Sequence, residues 1–216
     1  MPGLVVESIV NVPVPSNCFV IYKYRSHYCI VIDPGSKDSS LLGNYLIANQ
    51  LIPNYVILTH EHFDHIWGVN FLRGKFKSQI IATKATSLNI QSAKKNLSVF
   101  YNSDEFSTNE ADVIIEEDCV IDLNDISVKL IKTPGHTLGG LTVKIGKDLF
   151  VGDLIIKDTP PILKLPGASI LDYKSSLYKL SKLCLGNDMV IKCGHGKDIT
   201  INKKNYDKIF GFTGDN

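Results

Sequence analysis

Behind a short, wholly apolar run, Tyr55–Leu58, the chain sets four candidate metal ligands, His60, His62, Asp64 and His65, within six positions: His60-Glu61-His62-Phe63-Asp64-His65. An apolar run of this length suits a strand buried on both faces. A turn at its end aims alternate side chains into one pocket, so that His60 and His62 would reach one cation and Asp64 and His65 a neighbour. Neutral imidazole and carboxylate suit zinc, and a catalytic site keeps an open position. No soft thiolate is required, so iron and manganese also fit. A shuffled chain of the same composition would show His-x-His-x-Asp-His in roughly one case in 3,000.

The remaining histidines extend the pattern. His136 lies in Thr133-Pro134-Gly135-His136-Thr137 and His195 in Cys193-Gly194-His195-Gly196, each directly after a strand-like run. Asp153 follows the run Leu149–Val151 through Gly152. Strand ends on one sheet edge are where α/β sites assemble, and the small residues around these three leave room for a ligand. His136, Asp153 and His195 therefore join the metal-ligand candidates. Cys193 is the nearest rival ligand and is read as a packing residue. His27, in Arg25-Ser26-His27-Tyr28, has no such setting and is read as structural.

Short runs rich in Val, Ile and Tyr predict strands at Leu4–Val12, Cys18–Tyr24 and Tyr28–Ile32, the last ended by Asp33-Pro34-Gly35. Apolar spacing predicts helices from Leu41 to about Gln50, about Trp67 to Phe76, Thr86 to Lys95, Leu171 to Leu183 and Asn205 to Phe212. Further strands are expected at Ile80–Ala82, Val113–Ile115, Val120–Leu123, Ser127–Lys132, Leu141–Ile145, Leu149–Val151 and Met189–Ile191. This order suits an α/β (α+β) chain in which sheet layers pack together with helices outside. A single domain over residues 1–216 is expected. The long polar segment Asn96–Asp112, with Phe100, Tyr101 and Phe106 in it, reads either as an active-site lid or as a surface connection. Thr159–Leu163 reads as an apolar rim or an ordinary loop, flanked by Lys157 and Lys164.

Composition removes several function classes. With 23 Lys+Arg against 22 Asp+Glu the net charge is +1, which argues against a nucleic-acid binder that neutralises phosphates. The five cysteines are odd in number and none has C-x-x-C spacing, so a reducing compartment fits better than a disulfide framework. No run approaches 18 apolar residues, and the N-terminus lacks the pattern of a secretory signal. A cytoplasmic protein acting on a small molecule, with no nucleic-acid or membrane partner, is the expectation; the oligomeric state is left open.

Taken together, these motifs resemble those of the metallo-β-lactamase-fold hydrolases, in that family's order and from Ile32-Asp33-Pro34-Gly35 to Gly194-His195-Gly196. The resemblance implies a four-layer αβ/βα sandwich. It also implies that His60, His62 and His136 hold a first metal, that Asp64, His65 and His195 hold a second, and that Asp153 bridges them. Asp33 matches a position that supports the ligand loop. Flavodiiron relatives carry Glu where His62 stands, and β-lactamases with a cysteine ligand change the motif's final His, intact here as His65. Thr133-Pro134-Gly135-His136-Thr137 and Cys193-Gly194-His195 are most similar to glyoxalase II-like thioester hydrolases. That branch has Glu-Tyr after the last His, where Gly196-Lys197 stand here, and a C-terminal helical domain for glutathione that does not precede Asn216.

The activity so implied is that of a dinuclear zinc hydrolase. A hydroxide bridging two metals would attack the carbonyl of a thioester, lactone or related acyl substrate, and Asp64 would orient it and carry a proton. The alternative is a mononuclear Fe(II) oxidoreductase resembling the persulfide dioxygenases of the same fold, which retain all seven ligand positions.

Overall fold

A computed structural model of the chain describes residues 3–102 and 105–211. The first of two six-stranded sheets contains β1 (Leu4–Val10), β2 (Asn17–Lys23), β3 (Tyr28–Ile32), β4 (Ile52–Ile57), β5 (Gln79–Thr83) and β6 (Val113–Ile115), in chain order. Its first three strands pair antiparallel and β3 through β6 pair parallel. Parallel neighbours need crossovers, and these carry α1 (Ser40–Ala48), then α2 (Phe63–Ile66) with α3 (Val69–Phe76), then α4 (Lys84–Asn89).

The second sheet contains β7 (Cys119–Leu123), β8 (Ile126–Lys132), β9 (Leu141–Ile145), β10 (Asp148–Gly152), β11 (Val190–Cys193) and β12 (Ile199–Thr200), in the order β12-β11-β10-β9-β8-β7. Here β10 and β11 pair in parallel across the long helix α5 (Ile170–Cys184), while the other pairs are antiparallel. A last helix, α6 (Tyr206–Phe210), follows β12.

Alternation along the strands builds the layers, because successive side chains leave a strand on opposite faces. In β2, Phe19 and Ile21 enter the core between the sheets, where they meet Val128, Leu130, Val143 and Phe150 of the second sheet. Their neighbours Cys18 and Val20 face outward and pack with Leu42, Leu46, Val69 and Leu72 from α1 and α3. In β10, Phe150 points inward, whereas Leu149 and Val151 pack against Leu177, Leu180 and Cys184 of α5. The result is the helix–sheet–sheet–helix sandwich expected from the sequence.

Several boundaries differ from expectation for tertiary reasons. The helix expected from about Trp67 to Phe76 forms as α3, but a separate short helix, α2, precedes it inside the histidine motif and the two part before Gly68. The Gly68 N–H donates to the Pro34 carbonyl (2.6 Å) instead of continuing the α2 ladder. The helix expected over Thr86–Lys95 ends at Asn89, because the Ile90 carbonyl accepts the Thr108 N–H (3.1 Å). The first strand stops at Val10 and the two-residue β12 was not foreseen. The last helix ends at Phe210, and Phe212, where it was expected to end, lies outside the described residues. Among the described residues, no helix is long and apolar enough to cross a membrane.

Candidate metal centre

The seven candidate ligands converge at one end of the sandwich. His60 follows β4, His62 is the residue before α2, and Asp64 and His65 lie on α2. His136 follows β8, Asp153 follows β10 and His195 follows β11. Strands β8 and β10 point the same way because β9 is antiparallel to both, so these turns emerge on one edge. Two glycines admit the close approach. Gly152 takes a left-handed φ of 53°, and a side chain there would overlap Thr59 and crowd His60; one on Gly194 would overlap the Asp153 carboxylate.

Two groups of inward-facing atoms result. One nitrogen each of His60, His62 and His136 lie within 4.8 Å of one another, and so do ligand atoms of Asp64, His65 and His195. His62 Nδ1 is 3.1 Å from His136 Nε2. Asp64 Oδ2 is 3.3 Å from His195 Nε2 and 3.8 Å from His65 Nε2. Asp153 spans the groups: Oδ1 is 3.4 Å from His65 Nε2, and Oδ2 is 3.4 Å from His195 Nε2 and 3.7 Å from His136 Nε2. Six of the seven residues are buried, and His195 is partly exposed.

The nitrogens facing away from the cluster are committed elsewhere, which fixes the tautomers. His65 Nδ1 donates to Asp33 Oδ2 (3.0 Å), His136 Nδ1 to the Ile162 carbonyl (3.0 Å) and His195 Nδ1 to the Pro15 carbonyl (3.0 Å). Thr59 Oγ1 donates to Asp33 Oδ2, so it accepts from His60 Nδ1 (3.0 Å). Carbonyl and carboxylate oxygens only accept, so each of these rings carries a proton on its outer nitrogen and, as neutral imidazole, offers its lone pair inward. Among the described residues, His60 Nε2 and Asp153 Oδ1 are buried with no hydrogen-bond partner. Unsatisfied buried polar atoms are costly, and these two sit where a cation would satisfy both. The donor set, imidazole and carboxylate without thiolate, fits divalent zinc, iron or manganese.

Electrostatics separate the rings. Burial, reinforced by His65 and His62, holds His60 well below the usual histidine range. Burial and the neighbouring His136 bring His62 down to about 3. Burial also opposes charge on His65 and His195, but carboxylates outweigh it. Asp64 and Asp153 push His65 well up, and hydrogen bonds to Asp153 and Asp64 raise His195 to about 10. In turn His65 and His195 hold the carboxyls of Asp64 and Asp153 below their ordinary values despite burial.

Sequence reasoning missed the residues that brace the turns. Thr59 gives both its N–H (2.8 Å) and its hydroxyl to Asp33. Glu61, buried inside the motif, accepts from Asn89 Nδ2 (2.8 Å) and Thr137 Oγ1 (2.9 Å), tying the His60–His65 turn to the His136 turn. A charged residue placed between two ligands was the available signal. Cys193 packs in the outer core beside Leu149 and Val151, burial pushes its thiol up to about 11, and it takes no part in the cluster. Lys157 and Lys164 are exposed. A cavity of about 800 Å³ among Leu4, Lys144, Lys147 and Lys192 involves none of the seven residues.

Residues 11–189 match the Metallo-beta-lactamase superfamily, and the chain belongs to that family. Its class is that of a metal-dependent hydrolase carrying a His/Asp metal-binding motif. Among curated relatives, the protein named "Probable metallo-hydrolase YqgX" of Bacillus subtilis is 24% identical, over 88% of this chain and 89% of its own. A hydroxyacylglutathione hydrolase of Pectobacterium atrosepticum is also 24% identical, over 87% of this chain and 65% of its own. Among solved structures, the BLEG-1 B3 metallo-beta-lactamase superposes with a TM-score of 0.88 at 24% identity, covering 97% of this chain and all (100%) of the other. TTHA1623, solved in a di-iron-bound form, gives 0.76 at 23% identity, covering 96% and 99%. Likeness at this identity establishes the shared fold.

Proposed function

We propose that the protein hydrolyses an acyl substrate, a thioester or lactone, with two zinc ions at the His/Asp cluster. His60, His62 and His136 would hold one ion, Asp64, His65 and His195 the other, with Asp153 between them. Bound there, the ions would supply a water ionised near neutral pH and a Lewis acid for the carbonyl oxygen. The observation that carries this reading is the convergence of the inward atoms of seven residues, with His60 Nε2 buried and without a hydrogen-bond partner, on rings whose outer nitrogens are already committed.

The chain's own groups do the rest. The outward bonds to Asp33, Thr59, Ile162 and Pro15 keep four imidazoles oriented with no reorganisation during reaction. Asp64, buried and held ionised beside the partly exposed His195, would accept a proton from the attacking water and return it to the leaving group. Acyl transfer is supported by the hydroxyacylglutathione hydrolase relative; iron in TTHA1623 makes metal identity the first thing to measure.

Elemental analysis of the protein as purified, combined with a panel of thioesters, lactones and β-lactams, tests the reading. Two zinc ions per chain with thioester or lactone turnover is the expected result. One iron per chain, with oxygen consumed on glutathione persulfide and no acyl hydrolysis, overturns it in favour of the dioxygenase.

A further inference from the structure

Phe63 stands in the chain between His62 and Asp64, and it lines a second cavity. That cavity, about 370 Å³, is bounded by Phe63, Leu97, Phe100, Tyr101, Leu165 and Pro166, none of them charged. Phe63 lies 4.6 Å from the ring of Trp67 and 5.4 Å from that of Tyr101. One wall is Leu165 and Pro166, which follow the Thr159–Leu163 segment and Lys164; the other comes from the segment that the sequence marked as lid or surface connection. The 159–166 segment reaches the centre through the Ile162 carbonyl, which accepts from His136 Nδ1.

The other wall is fastened to the ligand turn. The Phe63 N–H donates to the carbonyl of buried Asn96 (2.9 Å). The Asn96 side chain donates to the Phe106 carbonyl (2.8 Å) and accepts from the Ser98 N–H (2.9 Å). Between them Leu97 takes a left-handed φ of 68°, a conformation that leucine rarely adopts, and its side chain lines the cavity. Strained residues held by their neighbours cluster at ligand clamps. Phe100 is 72% exposed, an aromatic ring kept in water beside an apolar hollow.

We propose that this cavity takes the apolar acyl group of the substrate, an aliphatic chain whose carbonyl lies at the His/Asp cluster. This rests on the acyl-hydrolase reading and narrows it. A polar acyl group would lose hydration among these six residues with no charge to replace it, whereas each buried methylene strengthens binding about fourfold. The volume lies in the lower part of the range for small-molecule pockets, so the gain levels off once the chain fills it.

Two readouts separate the cavity from the chemistry. Trp67, the chain's one tryptophan, touches Phe63, so its fluorescence reports on the cavity without turnover. Titration of the metal-loaded protein with n-alkanols from butanol to octanol is expected to give affinities rising about fourfold per methylene to a plateau. Acyl thioesters of N-acetylcysteamine, acetyl to octanoyl, are expected to show KM falling in parallel while kcat changes little. Leu165→Asp, and Phe100→Ser at the exposed position where folding is not at stake, should flatten both series. Alkanol affinity independent of length, or turnover independent of acyl length, overturns the cavity assignment and leaves the hydrolase reading intact. Length-dependent alkanol binding, flattened by the variants but without acyl turnover, sustains the aliphatic site and overturns the hydrolase reading.

Discussion

Asp33→Asn is a nearly isosteric change that leaves all seven candidate ligands in place. Asp33 has a left-handed φ of 52°, which Asn tolerates, so the backbone is not the target. The carboxylate accepts three hydrogen bonds: the Thr59 N–H and hydroxyl, and His65 Nδ1–H. In the variant, the amide oxygen keeps the Thr59 N–H and the NH2 faces His65 Nδ1–H, donor against donor. The imidazole escapes by moving its proton to Nε2, which faces Asp64 and Asp153 and is the nitrogen a cation needs. Outer partners of this kind are worth about 10–100-fold in metal affinity, or about 1.4–2.7 kcal/mol. Zinc competition against a calibrated chelator, with circular dichroism to verify folding, should show this loss chiefly at the site built from Asp64, His65 and His195. If both sites bind within about twofold of the parent, the tautomer argument is wrong.

Three further outcomes are expected. Asp64→Asn should keep the ion at His60, His62 and His136 yet lower kcat by about 10²–10⁴; an unchanged rate in a thioester assay would remove Asp64 from proton transfer. His60→Ala combined with His62→Ala should empty the first site, so elemental analysis finding two ions per chain would contradict the assignment. Metal uptake at pH 8 should release at least one proton per chain to an indicator dye. His195, raised to about 10, is protonated at that pH and must be neutral to bind metal, while an ordinary histidine near 6.5 would already be neutral; zero release would refute the coupling.

Legibility in the sequence followed the range of the interactions concerned. The His60–His65 motif, and the turns holding His136, Asp153 and His195, were readable because each is a local pattern behind an apolar strand. The strands at Cys18–Tyr24 and Tyr28–Ile32 were readable in the same local way, from runs rich in Val, Ile and Tyr. The interruption at Gly68 was not, because it depends on Pro34, which is distant in sequence, and the end of α4 depends on Thr108 in the same way.

What the sequence determined alone was the chemical inventory of the centre and the strands that carry it, since residue type and local periodicity are written into neighbouring positions. Only the tertiary structure decided which nitrogen of each ring faces inward, that Thr59 and Glu61 brace the turns, and that Phe63 opens onto an apolar hollow walled by segments 97–101 and 165–166. Those features depend on hydrogen bonds and contacts between segments up to 180 residues apart, as between His195 and Pro15, and such pairings exist only once the two sheets have packed.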